Sequence, residues 1–458
     1  MKVWNMRWQV IGWLALLVST STVFAYTPAD LLDVPAPNQT QLDAQAQQAE
    51  LDLQVARIGV YGTANLHPSY TFEFPDNADM TTQALLTGSA ELGYRYDAET
   101  MLVRQYNLER IVEARAAARR LAVWSALTTA NNILRGQIAV QRSQDSLAAA
   151  QDRLSRMQQN EAAGQATPND VRAAQLDVQD AQLNLEDAQT GLQGDRAAAR
   201  NLGITGEPEF SRVTFTLPEP DAAASSRFRQ LQLQLQLAHV RTLGDSVFNV
   251  LRDVTLAGGY EGNDANLYGE ISLDQGRPGA DVLAEFIEPT NTDQWVVRIS
   301  AYIYVNESII GNINRTRVNV TSAEADLADY RAQFALDAAS RRAQVEYRNS
   351  QLGVDLQRAT LAADALAGAR SAVAQLQKQI AAKEQDVAAA EGDAKTQAQQ
   401  DLDGLRNALQ KAQQDEARSA GEAPRAQDSA LVSWNLYLNA VRSYLDLVSG
   451  AWTIAGGA

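Results

Sequence analysis

Two stretches of this 458-residue chain contain no proline, residues 76–167 and 290–423, and they constrain the fold more than any other feature. Both are rich in Ala, Gln, Leu, Glu and Arg, residues that lose little on entering a helix. Ordinary globular helices average about 11–12 residues. A helix over residues 98–163 would extend roughly 100 Å at 1.5 Å per residue, which makes a rod. The segment after Pro168 predicts how such a rod is stabilised. Val171, Ala174, Val178, Ala181, Leu185, Ala188 and Leu192 follow alternating steps of three and four, the seam of a coiled coil. Its start is well signalled: Thr167 can cap, Pro168 takes the first helical position and Asp170 suits a capping box. Gly164 would end the helix before it. The expectation is a long helical hairpin turning at residues 164–167.

Between the helical stretches lie four segments with period-two patterning. Tyr70, Phe72 and Phe74 alternate with Ser69, Thr71 and Glu73, and Leu86 to Tyr96 alternate in the same way. Leu267, Gly269, Ile271 and Leu273 alternate with Tyr268, Glu270 and Ser272, and residues 255–260 extend this segment forward. Trp295, Val297, Ile299, Ala301, Ile303 and Val305 alternate with Arg298, Ser300, Tyr302, Tyr304 and Asn306. One apolar and one polar face suit a barrel with lipid outside and water inside. They equally suit a sheet with one face on a protein core.

Composition narrows the chemistry. There is no cysteine, which removes disulfides, thiolate metal sites and cysteine nucleophiles. The two histidines, His67 and His239, have no second His or Cys nearby in sequence and read as structural. No catalytic residues, cofactor site or metal site are predicted. Gly258-Gly259 runs on into strand-like sequence and does not open a helix, as a phosphate loop would. The formal charge of −16 argues against a nucleic-acid partner. Lys2 and Arg7, an apolar run over residues 10–18 and a small-residue exit at Ala25 read as a signal peptide over residues 1–25. No later run is apolar enough for a transmembrane helix, so membrane entry would require a β-barrel.

The order strand pair, helical hairpin, proline-containing link, strand pair, helical hairpin reads as a repeat, with halves at residues 26–210 and 211–458. Gly164 and Gly421, 257 residues apart, read as the two equivalent turns. Beyond the leader all four lysines, Lys378, Lys383, Lys395 and Lys411, fall within about 372–418. This compositional shift reads as a coiled-coil insertion in the second half, lengthening the hairpin or folding as a side hairpin near Gly392.

Three segments carry a family likeness: R-x-x-x-N-E-A-A-G-Q-A-T-P-N-D-V from Arg156, V-V-R-I-S-A-Y-I-Y-V-N-E-S-I-I-G-N-I-N-R from Val296, and A-L-V-S-W-N-L-Y-L-N-A-V-R-S-Y-L-D-L-V from Ala430. With the order of elements, they make the chain resemble the TolC family of outer-membrane efflux proteins over nearly all its length. The resemblance implies a mainly α fold with a small β part. Long coiled-coil hairpins would form a trimeric tunnel, with four strands per chain contributing to a 12-stranded outer-membrane β-barrel. It implies a homotrimer in the outer membrane with a periplasmic tunnel, a periplasmic adaptor protein, an inner-membrane pump and contact with outer-membrane lipid. The adaptor-docking tips would fall at Ala163, Gly164 and Gln165, and at Ala420, Gly421 and Glu422. Asp428 matches a position that narrows the periplasmic aperture, although its companion three residues on is Leu431. The family's proline before the second long helix is absent, and Val305, Asn306 and Glu307 stand there instead.

The function implied is a passive exit duct of a tripartite efflux or type I secretion system, without enzymatic chemistry. Two other readings stay open at this level. One is an envelope-spanning coiled-coil spacer on a barrel anchor, without transport. The other is a soluble coiled-coil binding protein with a small sheet.

Overall fold

The computed structural model describes residues 25–73, 81–95, 97–246, 251–261, 265–274, 277–286, 294–303, 308–389 and 393–455. The expected leader, apart from Ala25, lies outside them, as do Phe74, Tyr96 and residues 304–307. In chain order the elements are β1 (Ala25–Tyr26), α1 (Gln39–Ile58), β2 (Val60–Glu73), β3 (Thr81–Arg95), α2 (Ala98–Ala162), α3 (Pro168–Asn201), β4 (Glu207–Pro208), α4 (Ser226–Ser246), β5 (Leu251–Glu261), β6 (Ala265–Asp274), β7 (Arg277–Phe286), β8 (Gln294–Ile303), α5 (Ser308–Ala389) and α6 (Asp393–Val448). The chain divides into two compact units, with boundaries falling inside α2 and α5.

The first unit takes the described residues among 1–37, 119–218 and 339–458. It holds two helical hairpins. In the first, α2 reverses into α3 where predicted. Val171, Ala174, Ala181 and Leu192 are buried, Val178, Leu185 and Ala188 are half-buried, and the positions between them are exposed. In the second, α5 is paired by α6. Leu431, Trp434, Leu438, Val441, Leu445 and Val448 are all buried, and their steps of three and four continue the coiled-coil pattern. Residues 210–218 strap across α6. The Phe215 N–H donates to the Tyr437 hydroxyl at 3.1 Å, and the Tyr444 hydroxyl donates to the Pro218 carbonyl at 2.6 Å. Phe215 packs its ring on Trp434, Tyr437 and Trp452 at 4.9–6.2 Å between centroids. Edge and offset geometries of this kind add about 0.5–1.5 kcal/mol per pair beyond burial.

The second unit takes residues 38–118 and 219–338. Phe228, Leu231 and Leu327 form a small core, with Leu235 and Tyr330 packed against it. Ion pairs join helices of this unit: Asp52–Arg104 at 3.0 Å, Asp43–Arg115 at 2.8 Å and Glu99–Arg241 at 2.9 Å. Gly59 forms the link from α1 to β2. Its φ is +64°, its N–H closes the helix on the Val55 carbonyl and its own carbonyl accepts from Arg95. A Cβ here would lie 2.6 Å from the Arg95 carbonyl oxygen, so no side chain fits.

This unit's sheet has six strands in the order β2-β3-β7-β6-β5-β8, with every neighbouring pair antiparallel. Four strands per chain were expected. Two causes account for the difference. Residues 255–260, read as the start of one strand, belong to β5, a separate strand from β6. β7 was not expected at all, because Arg277-Pro278-Gly279 and the alanines at 280 and 284 have weak intrinsic strand preference. Pairing on both sides overrides that preference.

Candidate functional site

At the end of the first hairpin, Gly164 has φ +71° and donates to the Glu161 carbonyl at 2.9 Å, while the Gln165 N–H reaches back to the Asn160 carbonyl at 2.7 Å. The left-handed glycine lets the last carbonyls of α2 find donors. Thr167 then opens α3. Its hydroxyl accepts from the Asp170 N–H, and the Asp170 carboxylate accepts from the Thr167 N–H at 2.8 Å. These hydrogen bonds from Thr167 hold the Asp170 carboxyl below the usual range. Ala163, Gly164 and Gln165 are exposed, and nothing approaches within 4 Å of a Cβ at Gly164.

Ala420, Gly421 and Glu422 are not at a second turn. They lie inside α6, which continues through Pro424 to Val448. Gly421 and Pro424 together read as a helix stop, yet the helix continues, with Ala423 between them and Ala430 and Leu431 beyond them buried. Tertiary burial outweighs the local breaking signal here. α5 ends at Ala389 and α6 begins at Asp393, and the residues between them lie outside the described ones. The 372–418 segment therefore forms the distal arms of the second hairpin. Lys383–Asp401 at 3.1 Å, Glu384–Arg406 at 3.0 Å and Arg370–Glu416 at 3.6 Å join the arms. Val373, Ala398 and Leu402 are buried along this stretch.

Asp428 stands inside α6 and accepts from Arg135 Nε of α2 at 2.8 Å. Further polar contacts follow along the same antiparallel pair of helices. Asn131 Nδ2 donates to the Leu431 carbonyl at 3.1 Å, Trp124 Nε1 to Asn439 Oδ1 at 3.0 Å, and Arg120 Nε to Asp446 at 2.8 Å. On the α5 side, the Ser433 hydroxyl donates to the buried Asp355 at 2.5 Å, and Arg341 reaches the Ser443 carbonyl at 2.7 Å. Arg120, Arg135 and Asp355 were not singled out from the sequence. Their partners lie 78 to 326 residues away, so no local pattern marks them.

The sheet presents two chemically distinct faces. Ile299, Leu256, Ile271, Ala280, Tyr94 and Val60 form one register row across all six strands. Val297, Val282 and Leu92 lie in the next row, and Trp295 and Leu267 in the one beyond. These apolar residues are exposed: Trp295 by 81%, Val297 and Ile299 by 75%, Ile271 by 65% and Leu92 by 63%. The alternate positions carry Ser300, Thr255 and Ser272 in one row and Arg298 and Glu270 in another. The Thr255 and Ser300 hydroxyls hydrogen-bond across the strands. Such a face pattern is unfavourable in water, because it leaves a continuous apolar patch exposed.

Among the described residues no group of His, Cys, Asp or Glu could hold a metal, and no helix is long and apolar enough to cross a membrane. His239 is exposed on α4, and His67 pairs in the β2 ladder opposite Thr87. Burial, reinforced by the negative charge of Glu207, raises the pKa of Tyr26 to about 12.

No family model matches the sequence, and no curated protein matches it either. Solved structures do match. A membrane protein from Pseudomonas aeruginosa aligns over 93% of this chain and 90% of its own, at 14% identity and TM-score 0.52. The outer-membrane channel OprN aligns over 92% of this chain and 90% of its own, at 12% identity and TM-score 0.51. The chain thus has the fold of these proteins: long helical hairpins with a small antiparallel sheet.

Proposed function

We propose that three copies of this chain form an outer-membrane channel, a passive exit duct serving a tripartite efflux or type I secretion system. The observation that carries this reading is the sheet. Its apolar face is exposed across all six strands while its other face is polar. Strands of 10 to 15 residues match the length needed to span a bilayer when tilted. Lipid on one side and water on the other would remove the penalty that this face incurs in water. The fold shared with the outer-membrane channel OprN supports the same reading.

The helical hairpins would extend the duct through the periplasm, and the leader at residues 1–25 would direct export. Ala163, Gly164 and Gln165 offer an exposed end for a periplasmic adaptor, which in turn recruits an inner-membrane pump. Ala420, Gly421 and Glu422 would contact that adaptor from the side of the second hairpin. Asp428 enters as the acidic half of the Arg135 pair that holds α6 on α2; opening the aperture would part them. The formal charge of −16 favours cations over anions in such a duct. No chemistry is required of the chain itself.

The test is extraction of the full chain from membranes in detergent, imaging by negative stain and reconstitution into planar bilayers. Threefold particles with a hollow stalk and discrete conductance steps are expected. Recovery as a soluble periplasmic monomer with no conductance would overturn the proposal.

A further inference from the structure

The geometry points to a wider barrel than four strands per chain would build: the β6–β7 hairpin is an integral part of the wall, and three copies close eighteen strands. This inference rests on the channel reading above.

Without β6 and β7 the sheet would read β2-β3-β5-β8, the two strand pairs of the two halves side by side. The β6–β7 hairpin sits between them. β7 pairs with β3 from Gly88↔Phe286 to Arg95↔Gly279, and β6 pairs with β5 from Val254↔Leu273 to Glu261↔Asn266. The two strands pair with each other over their full length, from Ala265↔Phe286 to Asp274↔Arg277. A surface flap would leave one edge unpaired, and this hairpin leaves none.

The side chains agree with the ladders. Ile271, Leu267 and Val282 of the hairpin are exposed by 65%, 55% and 52% on the face that carries Leu256, Ile299 and Leu92. Glu270 and Ser272 fall on the polar face beside Ala257 and Thr255. The hairpin therefore has the same lipid and water sides as its neighbours. At ten residues each, β6 and β7 are long enough to cross the apolar layer.

Strand direction makes closure possible. Every neighbour in the sheet is antiparallel and the number of strands is six. The two edge strands, β2 and β8, consequently run in opposite directions. β8 of one copy can pair antiparallel with β2 of the next, and identical copies close into a ring with no free edge. Three copies give an even, all-antiparallel barrel, as outer-membrane barrels require. Diameter grows roughly in proportion to strand number, so the barrel would be about half again as wide as a twelve-stranded one. Barrels of about 16–18 strands hold an open aqueous channel.

The absence of cysteine makes the test clean. Leu92 of β3 and Val282 of β7 are register partners. In the double variant Leu92→Cys/Val282→Cys, oxidation of the detergent-extracted full chain should form an intramolecular disulfide, read as a mobility shift reversed by reductant. Electron cryomicroscopy of the unmodified protein should resolve eighteen strands. A threefold conducting channel with twelve strands and no such disulfide would overturn the eighteen-strand barrel while leaving the channel reading intact. Failure to find any barrel would overturn both.

Discussion

Gly164 and Gly421 look equivalent in sequence, yet the structure gives them opposite roles, and alanine at each should move stability in opposite directions. Gly421 lies in the interior of α6, exposed, without a positive φ and with nothing within 4 Å of where a Cβ would go. Alanine there gains the full difference in helix propensity, about 0.8–1.0 kcal/mol, and loses no contact. Gly164 has φ +71°, where an alanine Cβ meets its own following carbonyl at a cost of about 1–2 kcal/mol. The assay is hydrogen exchange read by mass spectrometry on the assembled protein, which reports local opening free energies. A change of about 1 kcal/mol alters exchange through local opening about fivefold. Gly421→Ala should slow exchange of the surrounding α6 peptide by about that factor. Gly164→Ala should speed exchange of the last turn of α2 and the first of α3 by at least as much. If Gly421→Ala instead accelerates exchange around residue 421, the chain turns there and the continuous helix is wrong.

Four further outcomes follow from the geometry. A double-mutant cycle of Arg135→Ala with Asp428→Ala should give a coupling of about 0.5–1 kcal/mol by thermal melting, since the pair is partly exposed; zero coupling would mean that the two do not interact. Tyr437→Phe strands the buried Phe215 N–H and should cost about 1–3 kcal/mol, with little change in secondary structure by circular dichroism. Tyr26 keeps its proton to about pH 12 when folded but loses it near pH 10 when unfolded, so the folded state binds more protons in that window and stability falls as pH rises from 10 to 12. Tyr26→Phe should flatten that part of the alkaline melting curve, and an unchanged slope would refute the burial assigned to it. Trp295, 81% exposed on the apolar face, should be quenched by brominated lipid in reconstituted protein, so Trp295→Phe should remove a measurable share of total quenching; no loss would place that face away from lipid.

Parts of this molecule are written in local chemistry. The seam from Val171 to Leu192 is buried or half-buried as its spacing implies, because helical periodicity alone decides which side chains share a face. Thr167, Pro168 and Asp170 start α3 where they stand, because capping is satisfied within four residues. Alternation in β8 predicts which of Trp295, Val297 and Ile299 share a face. Other parts were decided only when distant segments met. Gly421 and Pro424 carry a stop signal worth a few kcal/mol at most, and burial of Ala423, Ala430 and Leu431 against the neighbouring helices outweighs it. β7 becomes a strand because β6 pairs with all ten of its residues and β3 with eight, which no propensity in its own sequence predicts. Arg135 meets Asp428 across 293 positions of sequence, and Arg120 meets Asp446 across 326. Spacing along the chain determined where the first helical hairpin forms and which faces of the strands are apolar. Where the helices turn, how many strands pair and which charges meet depended on packing between segments that the sequence holds far apart.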